Sequence, residues 1–395
     1  MMNKIKNINK YGVLQLLVLT ACATPLERIN EDYDSNEVEK VFNLDEKTLN
    51  KFSIRNKENS LQIQEISKNS NNKSLQNNLN ENPVKKDQKV KSIISNDLTV
   101  SSKNQKKDLI EVEKLNLNSS QSSSSQNFFN LNNSPKMEIN SEILNYPLNF
   151  PSQLVEYDKN SSKYWNQFDP IVVPKEELKF MIKYFGVNCG EVTITTHEQK
   201  KIGNNMANHY KAHMKSAPFY RYLYELDDYI ESFVDTESHL PMKYVLIQRE
   251  SGQSVDDLQL FDSENYQTKF WYKRIKNGET KEINETQFIP KYFQDSFSAL
   301  FFVRGLPLKQ NDKFEFPIVT RGKIWLLRGV VDKYEVLTIN NKKYDALRIK
   351  AETEFPGVLK KRGDILFWYS ADQAKKLLKF SAQVKIGRLD GVLVE

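Results

Sequence analysis

The stretch Leu178-Lys179-Phe180-Met181-Ile182-Lys183-Tyr184 decides the reading of this chain. Leu178, Phe180, Ile182 and Tyr184 alternate with Lys179, Met181 and Lys183, and a period of two places the two sets on opposite faces of a β-strand. The pattern recurs downstream. Val192 and Ile194 alternate with threonines, and the segments 244–247, 268–273, 324–331, 344–351, 365–369 and 377–386 read as further strands. Turn signals separate them at Asn277-Gly278, Arg321-Gly322, Asn340-Asn341 and Arg362-Gly363. Strands joined by such short turns pair antiparallel. Two stretches predict helices: Pro218 to Ile230, and Asp295 to Arg304, where Phe297, Leu300 and Phe301 have i, i+3, i+4 spacing. The expected fold class is mainly β, a sheet crossed by one or two short helices.

Outward from this region the composition changes sharply. Of 44 aromatic residues, only Tyr11, Tyr33, Phe42, Phe52, Phe128 and Phe129 precede residue 146. Residues 22–145 are dominated by Asn, Ser, Lys, Glu and Gln, as in the run Ser119-Ser-Gln-Ser-Ser-Ser-Ser125. Such a composition buries too little apolar surface to offset the entropy of ordering, so it predicts a disordered tether. A random coil of that length has a root-mean-square reach of about 60 Å. Residues 146–395 carry enough apolar side chains for one domain with its own core.

At the N-terminus, Lys4, Lys6 and Lys10 precede an apolar run from Tyr11 to Leu19, then Thr20-Ala21-Cys22. Charge, a short apolar run, small residues and a cysteine in that order predict a lipoprotein signal over residues 1–21. The run is too short to span a bilayer as a helix, which takes about 20 apolar residues. Cleavage before Cys22 would expose a cysteine whose thiol and amine both accept acyl chains such as palmitate, and several chains anchor more firmly than one. Ala23 follows in place of the aspartate that retains some lipoproteins at the inner membrane, which favours the outer membrane. The formal charge of +6 falls to +3 without the three signal lysines, too little to imply nucleic acid as a partner. With Cys22 acylated, Cys189 stands alone and no intramolecular disulfide forms. Cys189 reads as a small, buried apolar residue.

The search for chemistry yields little. His209 and His213, four apart, share one face of a helix or strand, yet a metal site usually needs a third or fourth ligand and neither His197 nor His239 completes a pattern. No metal or cofactor is expected. Asp295 before Ser296-Phe297-Ser298 reads as a helix cap, because no nucleophile elbow surrounds either serine. Asp227, Asp228, Glu231 and Asp235 do not reproduce a calcium loop and read as a hydrated acidic face or turn contacts. Arg304 follows an apolar helix and is expected to bind its C-terminus or a carboxylate. Trp271, Trp325 and Trp368 stand in aromatic strips that read as core, and they are also the candidate ligand-binding residues.

Several of these segments carry a family resemblance. Tyr184-Phe-Gly-Val-Asn-Cys-Gly-Glu-Val-Thr193, Leu226-Asp-Asp-Tyr-Ile-Glu-Ser-Phe-Val-Asp235 with Leu240-Pro241, Asp295-Ser-Phe-Ser-Ala-Leu-Phe-Phe-Val-Arg304 and Phe367-Trp-Tyr-Ser-Ala-Asp372 resemble the bacterial family DUF3108. The resemblance covers nearly all of residues 170–395. Asn311 departs from it, standing where a glycine is common. What the resemblance implies is a strongly curved antiparallel sheet, a half-barrel reminiscent of lipoprotein carriers, in an envelope protein with no established reaction and no catalytic residues.

Together these readings predict a lipid-anchored cell-envelope protein in the periplasm or at the outer membrane. Its β domain is expected to bind a lipid, another hydrophobic ligand or an envelope protein, without catalysis. The alternatives are a scaffolding lipoprotein that contacts peptidoglycan or a protein complex and, ranked last, an envelope hydrolase.

Overall fold

The computed structural model describes residues 36–55, 146–354, 362–383 and 387–394. The signal peptide expected over residues 1–21 and the lipidation expected at Cys22 lie outside these residues. Helices α1 (Asn36–Val41), α2 (Glu46–Phe52), α3 (Ser152–Gln167) and α4 (Ser298–Gly305) accompany fifteen strands. The strands are β1 (Ile54–Arg55), β2 (Glu177–Tyr184), β3 (Val187–Ile202), β4 (Asn205–Ser216), β5 (Leu226–Asp235), β6 (Pro241–Glu250), β7 (Gln253–Asp262), β8 (Gln267–Lys276), β9 (Glu279–Phe288), β10 (Lys313–Thr320), β11 (Lys323–Ile339), β12 (Lys342–Glu354), β13 (Arg362–Ser370), β14 (Leu377–Gln383) and β15 (Arg388–Leu393).

Fourteen of them form one antiparallel sheet in the order β10-β11-β12-β13-β14-β15-β2-β3-β4-β5-β6-β7-β8-β9, and β1 adds to β3 from outside that path. Two meanders, β2 to β9 and β10 to β15, are thus joined where β15 pairs with β2, Gly391 opposite Ile182. The sheet is not closed into a barrel, because β9 and β10 remain its two edges. Inner-face residues of both meanders nevertheless share one core with α4: Phe180, Ile230 and Tyr244 from one, Phe316, Ile349 and Tyr369 from the other. The sheet therefore curves around α4. Among the described residues no helix is long and apolar enough to cross a membrane.

The predicted strand at 178–184 is β2, and its inner set Leu178, Phe180 and Ile182 is buried. The turns at Asn277-Gly278, Arg321-Gly322 and Asn340-Asn341 all have positive φ, the backbone that hairpin turns of this hand require. Arg362-Gly363 is no turn. It lies within β13, with Arg362 opposite Thr353. The helix predicted from Pro218 to Ile230 is also absent: only Tyr220–Tyr222 make one 3-10 turn, and Leu226 onward is β5. β5 is central and covered on both sides, so its buried run from Asp228 to Asp235 shows no alternation in hydropathy.

The folded unit also takes in residues 36–55, which the sequence reading assigned to the tether. Helices α1 and α2 lie on the outer face of the sheet, where Val38 and Phe52 pack with Tyr229, Val245, Ile247, Leu258, Leu260 and Trp271. Asp45 caps α2 by accepting from the Thr48 backbone N–H at 2.9 Å. The rest of the expected tether, residues 22–35 and 56–145, lies outside the described residues.

Candidate functional site: an apolar cavity under helix α4

An apolar cavity of about 150 Å³ lies between α4 and the inner face of the sheet. One wall comes from β3, β4 and β5 through Val192, Ile194, Ala212, Met214 and Ile230. The opposite wall comes from β11 to β14 through Leu327, Ile349, Phe367 and Phe380, and α4 closes the top with Phe297, Leu300 and Val303. Two of the lining rings rest on glycines across the sheet. Phe314 lies over Gly329 and Phe380 over Gly391, so close that a Cβ on either glycine would meet the ring at 2.0 and 2.2 Å. The absent side chains let these rings lie flat against the neighbouring backbone.

The lining carries side-chain hydroxyls on Ser296 and Tyr369. Tyr369 donates to the Leu300 carbonyl at 3.0 Å, and Ser296 is hydrogen-bonded to Tyr244. Burial pushes the Tyr369 hydroxyl above its ordinary range, so it remains protonated and donating. Such walls offer few polar partners to an ordered water molecule.

Helix α4 is held at both ends. At its start Asp295, fully buried, accepts from the backbone N–H groups of Phe297 and Ser298 at 2.7 Å each and from the Ser232 hydroxyl on β5. Ser298 reciprocates by accepting from the Asp295 N–H at 3.0 Å. At its end Arg304, 3% exposed, donates to both carboxylate oxygens of Glu176 and through Nε to the Ala374 carbonyl at 2.9 Å. The cap predicted at Asp295 and the carboxylate partner predicted for Arg304 are both present. Their shared effect is to fix the roof of the cavity to β5, to the strand β2 entry and to the β13–β14 connection.

Elsewhere on the inner face, Asp228 and Glu250 bring two buried carboxyl groups within hydrogen-bonding reach of one another. The Gln248 amide donates to both, at 3.1 and 3.2 Å, and Tyr224 and Gln253 donate to Glu250. Burial drives the Asp228 carboxyl well above the usual carboxylate range, and the Glu250 charge pushes it further. Asp228 and Glu231, both buried, thus leave the hydrated acidic face that the sequence predicted, Glu231 lying beside His209 on the outer face of the sheet, while Asp227 is half-buried beside His213. Asp235 makes the expected turn contact, accepting from Ser238 N–H at 2.7 Å.

His209 and His213 do not converge. His213 binds Asp227 at 2.6 Å, and the His209 ring lies between those of His197 and Phe233 with Glu231 at 3.4 Å. Four residues along a strand separate two side chains by about 13 Å, too far to share an ion. Among the described residues no three His, Cys, Asp or Glu side chains are grouped to hold a metal. Cys189 is half-buried and its Sγ faces the Ile182 carbonyl at 3.5 Å, with burial raising the thiol's pKa.

None of the three tryptophans lines the cavity. Trp325 and Trp368 belong to the main core, Trp368 donating to Glu335 at 2.6 Å, and Trp271 faces the other side of the sheet beneath α1 and α2. The aromatic strips hold the largest side chains, whereas the cavity forms where small residues, Ala212, Ala299, Ala351 and Ala382, line a common space. No sequence signal marks such a grouping, because it depends on strand order.

Fold and cavity together define a single, strongly curved antiparallel sheet wrapped around one helix and an apolar space. The family model described as "Protein of unknown function (DUF3108)" matches residues 179–394, and the chain belongs to that family. Comparison with the curated proteins finds no match. Among solved structures, the chain is similar to a beta-barrel-like protein of domain of unknown function DUF1849 from Brucella abortus, at 8% identity and a TM-score of 0.37, covering 56% of this chain and 98% of that one. It is also similar to a Parabacteroides distasonis protein described provisionally as a lipoprotein, at 11% identity and a TM-score of 0.26, over 58% and 98% of the two chains. An exported protein, so described provisionally, with YmcC-like fold from Bacteroides fragilis matches at 8% identity and a TM-score of 0.27, over 57% and 98%.

Proposed function

We propose that this protein is a lipid-anchored component of the bacterial envelope that holds a small apolar ligand, such as a segment of an acyl chain, in the cavity beneath α4. The observation that carries this reading is the lining itself. Its walls are aliphatic and aromatic, and the hydroxyls of Ser296 and Tyr369 are both engaged by protein groups. Such a site rewards apolar burial and offers nothing to orient a polar reactant. The reading is therefore one of holding, not of converting. The envelope address rests on the lipoprotein signal expected over residues 1–21, cut before Cys22.

Titration of the purified chain with a fluorescent fatty acid tests the proposal. Saturable binding is expected, and Ala212→Leu, which places a larger side chain in the cavity, is expected to weaken it at least tenfold while the thermal midpoint stays within a few degrees. Equal binding by the parent and by Ala212→Leu would overturn the cavity as the site.

A further inference from the structure

We propose that the edge of the sheet formed by the β2–β3 and β4–β5 turns is a membrane-contacting rim, which dips into the headgroup boundary of a bilayer containing anionic lipid. The β2–β3 turn presents Phe185 and Val187, 70% and 55% exposed, and the β4–β5 turn presents Phe219, Tyr222 and Leu223, 74%, 90% and 64% exposed. Among the described residues twelve large hydrophobic side chains are exposed, and these five share one edge. The two turns are neighbours. Ala217 donates its N–H to the Cys189 carbonyl at 2.9 Å, and strands β2, β3, β4 and β5 are consecutive in the sheet. Turn tips ordinarily carry polar residues, and a concentrated apolar patch on a surface marks an interaction site.

The backbone at Phe185 supports the same conclusion. Its φ is +47°, a left-handed conformation that bulky side chains rarely adopt, and Gly186 follows at +78°. Asn-Gly would satisfy this turn without strain. Phe185 occupies the strained position and gains little burial from it. Its ring stands against Tyr184, centroids 4.6 Å apart, and over Gly387, where a Cβ would meet it at 2.8 Å. Those contacts hold an exposed aromatic ring upright at the tip, and strain kept without a packing gain points to a role for the ring.

Charge distinguishes a lipid surface from an apolar protein partner. Arg221, between Tyr220 and Tyr222, and Arg388, beside the Phe185 ring contact at Gly387, are both exposed, and neither forms an ion pair with another described residue. One step away from the tips, Lys183 lies opposite Asp390 and Lys215 opposite Glu191, so the strands below are balanced. Aromatic and aliphatic tips flanked by arginines match the interfacial zone of an anionic bilayer. The cavity lies close behind this edge. Met214 is three residues from Ala217 and Val192 five from Val187, distances of about 10 and 17 Å along a strand. Rim contact does not depend on what the cavity holds.

Sedimentation with vesicles tests the rim, using the full chain with Cys22→Ser so that no acyl anchor contributes. Vesicles of phosphatidylethanolamine with one-third phosphatidylglycerol are compared with phosphatidylcholine. The parent is expected to bind the anionic vesicles, and the combined variant Phe185→Ser, Phe219→Ser, Tyr222→Ser, Leu223→Ser to bind them at least tenfold less. Arg221→Gln should weaken binding several-fold on anionic vesicles alone. Phe185→Gly separates binding from folding, because relief of the left-handed strain should keep or raise the thermal midpoint while vesicle binding drops. Equal binding by the parent and the four-site variant would overturn the proposal. So would self-association of the parent abolished by that variant, which would assign the edge to a protein contact.

Discussion

The Lys243 ammonium on β6, wholly buried, donates to the Glu39 carboxylate on α1, 204 residues earlier in the chain. This pair pins the N-terminal helices to the outer face of the sheet, with the Phe233 ring 5.7 Å from the same ammonium. A buried charge without its partner is costly, about 3–5 kcal/mol when one member is removed. Glu39→Ala is therefore expected either to destabilise the domain by that order or to release residues 36–55 so that Lys243 regains water. Limited proteolysis read by mass spectrometry separates the two. Adding Lys243→Met should restore protection in either case, and a Glu39→Ala protein as protected as the parent would contradict the pinning role.

Arg304 ties the end of α4 to Glu176 through a forked pair, side chains 3% and 7% exposed. Lysine carries the charge but cannot fork or reach the Ala374 carbonyl at the same time. Arg304→Lys is expected to lower unfolding free energy by about 1–2 kcal/mol and Arg304→Ala by about 3–5 kcal/mol in urea titrations. Indistinguishable values for Arg304→Ala and the parent would remove this residue from the account of the cavity roof.

The Asp228–Glu250 pair makes stability depend on pH in a defined direction. Both carboxyls are raised above ordinary values, Asp228 by burial and then by the Glu250 charge, and Glu250 by burial. A group whose pKa is higher in the folded than in the unfolded chain favours folding while it is protonated. Its contribution is therefore lost as pH rises from the ordinary carboxylate range of about 4 through the raised values. Asp228→Asn removes one ionisation and retains an acceptor for the Arg249 N–H at 2.9 Å. Thermal melts across mildly acid to mildly alkaline pH should show a flatter decline for Asp228→Asn, and a gain on the order of 1 kcal/mol at the alkaline end. A parallel decline in both proteins would rule the pair out as its source.

How far the sequence discloses this molecule depends on whether a feature is local. The β2 alternation, the turns at Asn277-Gly278, Arg321-Gly322 and Asn340-Asn341, and the Asp295 cap are written within a few residues, and each appears where expected, whereas Arg362-Gly363 carries the same local signal inside a strand. β5 is hidden because its two faces are buried by different partners: Ile230 and Ser232 meet the α4 region inside, while Tyr229 packs with Val38 and Phe52 and Phe233 stacks on His209 outside. Residues 36–55 are hidden because Val38, Phe52 and their few apolar neighbours are too sparse to stand out within a polar stretch; only the sheet's outer face supplies their counterpart. The cavity is hidden for a similar reason. Ala212 and Ala382 become neighbours across it only after both meanders have joined.

That joining strand has a temporal meaning. β15, residues 388–393, comes last in chain order among the described strands, yet it sits mid-sheet between β14 and β2, pairing on the β2 side with residues some two hundred positions earlier. Until it is made, β2 and β14 are unpaired edges and the two halves are not joined through the sheet, so the domain's cooperative assembly waits for that strand. A sheet whose middle strand is made after all the others keeps its two halves apart through most of its synthesis.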